Sequence, residues 1–269
     1  MANTDSRTDT WASGSAYEHY VGRWSRPVAH AFLTWLAVPT GSAWIEVGCG
    51  TGALSQTILR QAMPARLVGI DPSEGFLAHA RAHVADPRAK FLQGDARALP
   101  AADGEFDAAV SGLVLNFVPD QATAVAQMRR VTRSGGTIAA YVWDYAGEMQ
   151  LMRKFWDAAG ALDPKARELD EGVRFPLCRP DALRALFASV GARAIAVRPI
   201  DVSTVFDNFD DYWSPFLGGQ GPAPTYCSTL SDDRQAMLRE RLRAALPIER
   251  DGSIRLIARA FAVRGIRPV

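Results

Sequence analysis

Residues Ala43–Gly52 read AWIEVGCGTG. Trp44, Ile45 and Val47 form a short apolar strand that runs into glycines at 48, 50 and 52, and the apolar, helix-like segment Ala53–Arg60 follows. Glycines between a strand and a helix let the backbone approach a ligand closely, and the helix N-terminus offers free N–H groups. An acid, Glu46, lies inside the strand, two residues before the first glycine. That position favours a ligand carrying an amine and hydroxyls over a phosphate.

Outward from this stretch, strands and helices alternate. Strands are predicted at Arg66–Ile70, Ala89–Leu92, Phe106–Ser111 and Thr137–Trp143. Helices are predicted at Ser73–Val84, with Ser73 as N-cap, and at Gln121–Val131. Ser134-Gly135-Gly136 turns the chain into strand five. Upstream, Pro27 opens an apolar helix over Val28–Val38. Alternation at this interval implies βαβ units and a parallel sheet covered on both faces.

The pattern changes after Trp143. Gly147–Gly160 reads as a helix, Pro180–Val190 as an amphipathic helix ended by Gly191, and Ala192–Phe206 as a strand. Residues 207–230 are aromatic and rich in Pro and Gly. Asp232–Leu246 is an Arg-rich helix and Ser253–Val263 alternates as a last strand.

The chain has 269 residues, 48% of them hydrophobic, which suits one core near its upper size limit better than two equal domains. The net charge of +1 recruits no nucleic acid. Cys49, Cys178 and Cys227 have neither metal nor disulfide spacing, which fits a reducing cytosol. No signal core and no run of 18 apolar residues occurs, so a cytoplasmic protein without membrane attachment is expected. Residues 1–15 read as a disordered tail.

In an open parallel sheet, ligands bind outside the carboxyl ends of the strands. Those ends carry Glu46 to Gly52, Asp71-Pro72-Ser73, Gly94-Asp95-Ala96, and Ser111 to Asn116. A carboxylate after strand two can accept both hydroxyls of a ribose, and one after strand three can accept from an adenine amino group. The order and spacing of E-x-G-x-G-x-G (Glu46 to Gly52), GIDPS, GDA, EFDAAVS and RSGG over residues 43–143 resemble the class I S-adenosylmethionine-dependent methyltransferases. The likeness is greatest to the small-molecule branch, similar to quinone-biosynthesis methyltransferases.

The resemblance implies an α/β fold, a Rossmann-like doubly wound sheet of seven strands with an antiparallel last strand, here Ser253–Val263 beside Ala192–Phe206, plus helical cap insertions. It implies a single domain over 16–269. The core would be about 40–205 and 253–264, and the cap 16–38, 144–178 and 207–250. The expected reaction is methyl transfer from S-adenosyl-L-methionine to an O, N or C atom of a small molecule, with S-adenosyl-L-homocysteine as product. By the resemblance Glu46 holds the methionine end, Gly48, Cys49 and Gly50 pack against the cofactor, Asp71 and Pro72 meet the ribose, Gly94, Asp95 and Ala96 meet the adenine, and backbone near Ser111 meets the amino-acid moiety. YEHYVGRW (residues 17–24) is similar to a lid, with Tyr17 or Tyr20 closing over the cofactor and Arg23 pairing its carboxylate.

Other readings stand beside these. Gly48, Gly50 and Ala53 also satisfy G-x-G-x-x-G/A, so a nicotinamide-dependent oxidoreductase is an alternative. A non-catalytic S-adenosylmethionine-binding module would carry the same cofactor residues. Asn116, Trp143, Tyr145, Tyr212 and Trp213 are candidates for an apolar acceptor pocket or for plain core. Asp144 and His19 are candidate general bases; the bland reading is a surface residue beside cap packing for Asp144 and a lid or surface role for His19. His79 and His83 have metal-like i, i+4 spacing without a third ligand, which reads as a solvated helix face. The oligomeric state and the acceptor are not written in these patterns.

Overall fold

The computed structural model describes residues 22–218 and 221–269. Its centre is a seven-stranded sheet. The strands are β1 (Ala43–Val47), β2 (Arg66–Asp71), β3 (Ala89–Gln93), β4 (Phe106–Gly112), β5 (Thr132–Trp143), β6 (Arg193–Phe206) and β7 (Ile254–Ile266). They lie in the order β3-β2-β1-β4-β5-β7-β6. The first five are parallel, and β7 runs antiparallel between β5 and β6. The expected doubly wound sheet with a reversed last strand is the fold. Strand order reverses beside β1, which puts the Glu46–Gly52 loop at the switch point.

The flanking helices are α1 (Arg23–Leu36), α2 (Ala53–Thr57, continued by a π turn at Ile58–Ala62), α3 (Glu74–His83), α4 (Gln121–Val131), α5 (Gln150–Leu162), α6 (Glu171–Arg174), α7 (Pro180–Ser189), α8 (Phe209–Trp213), α9 (Pro222–Thr229) and α10 (Asp232–Ala245). Helix α1 packs on α2, β6 and β7, whereas α4 packs on β4, β5 and α7. Ser73 caps α3 by accepting the Phe76 N–H at 3.3 Å, as its residue type predicts.

Strand β5 begins at Thr132, five residues before its expected start, so Ser134-Gly135-Gly136 lies within it. Two helix starts also differ from expectation, for tertiary reasons. Helix α1 starts at Arg23, ahead of Pro27. Trp24 packs edge-on against Phe206 of β6 at 5.6 Å, and this contact holds the extra turn in place. Helix α5 starts at Gln150 instead of Gly147. The Asp144 carboxylate accepts the Glu148 N–H at 2.9 Å, and its carbonyl accepts from Gly147 and Met149, so the chain makes a turn there.

The stretch after β6 folds into α8, a 3-10 turn (Ser214–Leu217) and α9. Its rings extend the single apolar core against α5. Phe155 stacks on Phe216 at 4.4 Å, and Trp156 lies 5.7 Å from Tyr226. Residues 1–21, including the expected tail, lie outside the described residues. Among the described residues no helix is long and apolar enough to cross a membrane.

Candidate functional site

The carboxyl ends of β3, β2, β1, β4 and β5 surround a cavity of about 460 Å³, within the range usual for small-molecule sites, roughly 300–1,000 Å³. Strand order lays out its wall. Gly94 to Arg97 stand beyond β3, and Asp71 to Ser73 beyond β2. Glu46 and Gly48 to Thr51 stand at β1. Gly112, Leu113, Val114, Phe117, Val118 and Pro119 follow β4, and Tyr141, Trp143 and Tyr145 come from β5. The carboxylates thus lie towards β3, and the apolar and aromatic side chains towards β5.

The glycine loop is tied to the neighbouring strand. Gly48 and Cys49 N–H groups both donate to the Ile70 carbonyl, at 2.7 and 3.0 Å. Gly50 N–H donates to Asp71 Oδ2 at 2.9 Å, and Ser73 N–H to Asp71 Oδ1 at 2.9 Å. Gly48 has φ of +77°, and a Cβ there would stand 2.4 Å from Val114 Cγ1, so only glycine lets the loop lie this close to the turn after β4.

Glu46 is 2% exposed and accepts a hydrogen bond from the Ser55 hydroxyl of α2. Burial pushes its pKa up from 4.5 to about 8, against the lowering effect of Ser55, with the nearby Asp71 charge adding to the rise. A cation beside Glu46 would oppose that shift. Asp71 is also raised, by burial, while its two backbone N–H bonds oppose the shift. Burial, followed by the Glu46 and Asp71 charges, pushes the Cys49 thiol far up. Cys49 is therefore a small packing residue of the wall and no nucleophile.

The cavity gathers Glu46, Gly48, Cys49, Gly50, Asp71, Pro72, Gly94, Asp95, Ala96, Trp143 and Tyr145 from the expected site residues. Others lie elsewhere. The Ser111 side chain is fully buried and off the wall, whereas the chain just after it, at Gly112 and Leu113, lines the cavity. Asp144 alternates between Trp143 and Tyr145, and its carboxylate closes the 144–149 turn, which removes it as a base facing the cavity.

Arg23 is also off the wall. Its Nη1 pairs with Asp211 at 3.1 Å, and its guanidinium stacks over Trp24 and Phe206. Asn116 is 5% exposed, with both amide atoms buried and unpartnered, and does not line the cavity. Tyr212 is fully buried and donates its hydroxyl to the Leu151 carbonyl at 3.0 Å, and Trp213 packs 6.0 Å from Phe216. Both belong to the core of the cap instead of the acceptor pocket. Tyr17, His19 and Tyr20 lie outside the described residues.

Wall residues that the motif reading passed over are Ser25, Phe76, Arg97, Leu113, Val114, Phe117, Tyr141 and Met152. Most are apolar residues of ordinary core type and carry no signal of their own. Gly112 also lines the wall, and Tyr141 packs so closely on it that a Cβ would stand 2.6 Å from the phenol oxygen. His79 and His83 stack at 3.9 Å on α3, and among the described residues no three potential ligands could hold a metal ion.

Comparison with known proteins agrees with this geometry. The methyltransferase domain family matches residues 45–140. A demethylmenaquinone methyltransferase of Roseiflexus castenholzii is 40% identical over 104 residues, covering 38% of this chain and 43% of the relative. A malonyl-[acyl-carrier protein] O-methyltransferase of Pectobacterium atrosepticum is 31% identical over 157 residues, covering 58% of this chain and 59% of the relative. The chain thus spans less than two thirds of the length of these curated relatives. Among solved structures, phosphoethanolamine N-methyltransferase 2 of Haemonchus contortus in complex with S-adenosyl-L-methionine aligns with a TM-score of 0.62 at 16% identity, covering 98% of this chain and 59% of that one. That last likeness speaks for the fold. The glycine loop and the acid after β2 both lie inside the stretch, residues 45–140, that matches the methyltransferase domain family.

Proposed function

We propose that this chain is a methyltransferase that moves a methyl group from S-adenosyl-L-methionine to an O, N or C atom of a small, largely uncharged molecule. The observation that carries the reading is the layout of one cavity, with three carboxylates towards β3 and an aromatic wall towards β5. The cofactor fits that donor set. Glu46 suits its ammonium group, Asp71 its ribose diol and Asp95 with Ala96 its adenine. A dinucleotide has no need of a buried acid at Glu46.

When bound, the cofactor supplies a methyl group already activated by the sulfonium charge. The chain's own residues position and desolvate. Gly48 to Gly50 allow close backbone approach, while Phe117, Tyr141, Trp143 and Tyr145 exclude water and present ring faces that favour a cation. Alignment of donor and acceptor at roughly 3–3.5 Å is the main demand of such a transfer. Residues 16–269 are taken as one domain, and the three free, buried cysteines suit a cytoplasmic setting.

Calorimetric titration with S-adenosylhomocysteine, with NADH as control, tests the cofactor. Micromolar binding of the former alone supports the reading, and binding of NADH instead sinks it. Methyl transfer to a panel of uncharged aromatic acceptors then separates an enzyme from a binding module.

A further inference from the structure

Asp95 is the one cavity carboxylate that a guanidinium holds among the described residues. Arg97 lies two residues further on, in the turn after β3, and also forms part of the cavity wall. Its backbone N–H reaches Asp95 Oδ1 at 2.8 Å, and its Nε reaches Oδ1 and Oδ2 at 3.0 and 3.1 Å. Its Nη2 reaches Oδ2 at 2.6 Å. Ala98 N–H donates to the Asp95 carbonyl at 2.9 Å and closes the turn. Asp71 and Glu46, by contrast, are held by backbone N–H groups and a hydroxyl.

A carboxylate offers about four lone-pair directions, and three N–H donors of Arg97 occupy about three of them. One is left. We propose that Arg97 is a positioning residue that leaves Asp95 a single fixed acceptor direction, and so selects a nucleobase with an amino group over one with a carbonyl at the same place. This rests on the reading of the cavity as the S-adenosylmethionine site. Without the guanidinium only the residue-97 backbone N–H still holds Asp95 Oδ1, and Oδ2 is left to accept from any nearby donor or water. The guanidinium also holds Asp95 well below the usual carboxylate range, at about 2, so the acceptor stays ionised. Two-point geometry is what Arg supplies here and Lys cannot.

The test titrates the wild type, Arg97→Ala and Arg97→Lys with S-adenosylhomocysteine and with S-inosylhomocysteine. The second compound carries a carbonyl where adenine has its amino group. The wild type should prefer the adenine compound. In Arg97→Ala that preference should narrow by about 3- to 10-fold, the size of one hydrogen bond, with the loss on the adenine arm. Arg97→Lys should behave like Arg97→Ala. A preference unchanged or widened in Arg97→Ala, at an unaltered melting temperature, overturns the inference and leaves the cofactor assignment standing. A wild type that binds neither compound overturns both.

Discussion

Asp71 Oδ2 accepts the Gly50 N–H at 2.9 Å, so the carboxylate that ends β2 also fixes the loop that leaves β1. Its other oxygen accepts the Ser73 N–H at the start of α3. One side chain thus sets the spacing of two loops that face the same cavity, and its remaining lone pairs are the ones a ribose diol would use.

Asp71→Ala should therefore weaken S-adenosylhomocysteine binding by about 1–3 kcal/mol, the scale of lost charge-assisted hydrogen bonds. It should also lower the melting temperature, because two backbone donors lose their partner. Calorimetry and a thermal melt on one preparation check both. A folded variant with unchanged affinity would falsify the ribose assignment.

The pH dependence has a definite sign. Glu46 and Glu171 are both pushed up from 4.5 to about 8, chiefly by burial. Between those values the native state holds protons that the unfolded chain has released, so stability falls as pH rises through this window. Each group contributes up to ~1.4 kcal/mol per pH unit. Glu46→Gln and Glu171→Gln should each flatten the decline of the melting temperature between pH 5 and pH 8. Only Glu46 lines the cavity, whereas Glu171 accepts from Trp156 Nε1 beneath the cap. Binding of the cofactor's ammonium group should therefore release a proton from Glu46. Calorimetry at pH 7 in buffers of different ionisation enthalpy should show that release in the wild type and in Glu171→Gln, and its loss in Glu46→Gln.

The five parallel strands and the cavity acids are legible in the sequence because both lie on a local pattern. An apolar run ends in glycine or acid, and the end of the run is the site. Ser111, Asp144 and Asn116 sit next to that pattern and miss the cavity. A strand end shows which residues are near, while the phase of side-chain alternation decides which face inward, and Trp143 and Tyr145 take that phase. Tyr212 and Trp213 fail for another reason. An aromatic stretch broken by Pro and Gly looks the same whether it covers a pocket or packs its own core, and the difference lies in contacts to α5 more than fifty residues away.

That relocation changes what substitutions in the cap should do. Trp213→Ala should act as a core truncation and cost about 3–5 kcal/mol, with no selective effect on the acceptor. Tyr145 lines the cavity and packs 5.7 Å from Phe175, which in turn meets Phe117 at 5.0 Å. Tyr145→Ala should raise the acceptor KM several-fold while S-adenosylhomocysteine affinity changes less than twofold. Steady-state kinetics beside calorimetry separates the two, and equal losses on both would make Tyr145 a general support of the fold.

Gly48 gives the most demanding test of the loop geometry. Alanine there meets two obstacles, a φ of +77° and a Cβ placed 2.4 Å from Val114 Cγ1. The first costs roughly 1–2 kcal/mol, and the second about 1–3 kcal/mol as overpacking. Gly48→Ala should thus destabilise the protein by ~2–5 kcal/mol and loosen cofactor binding, since the loop must shift. Val114→Ala removes the two methyl contacts, at 2.4 and 2.7 Å, but keeps the Cβ contact at 2.8 Å, so it relieves most of the steric obstacle and leaves the backbone one. The double variant should therefore be more stable than the sum of the single effects predicts, by about 1 kcal/mol or more. Denaturant unfolding of the four proteins measures that coupling. Additivity within ~0.5 kcal/mol would mean that Val114 does not press on the loop, and the close approach of the β1 and β4 turns at the switch point would lose its support.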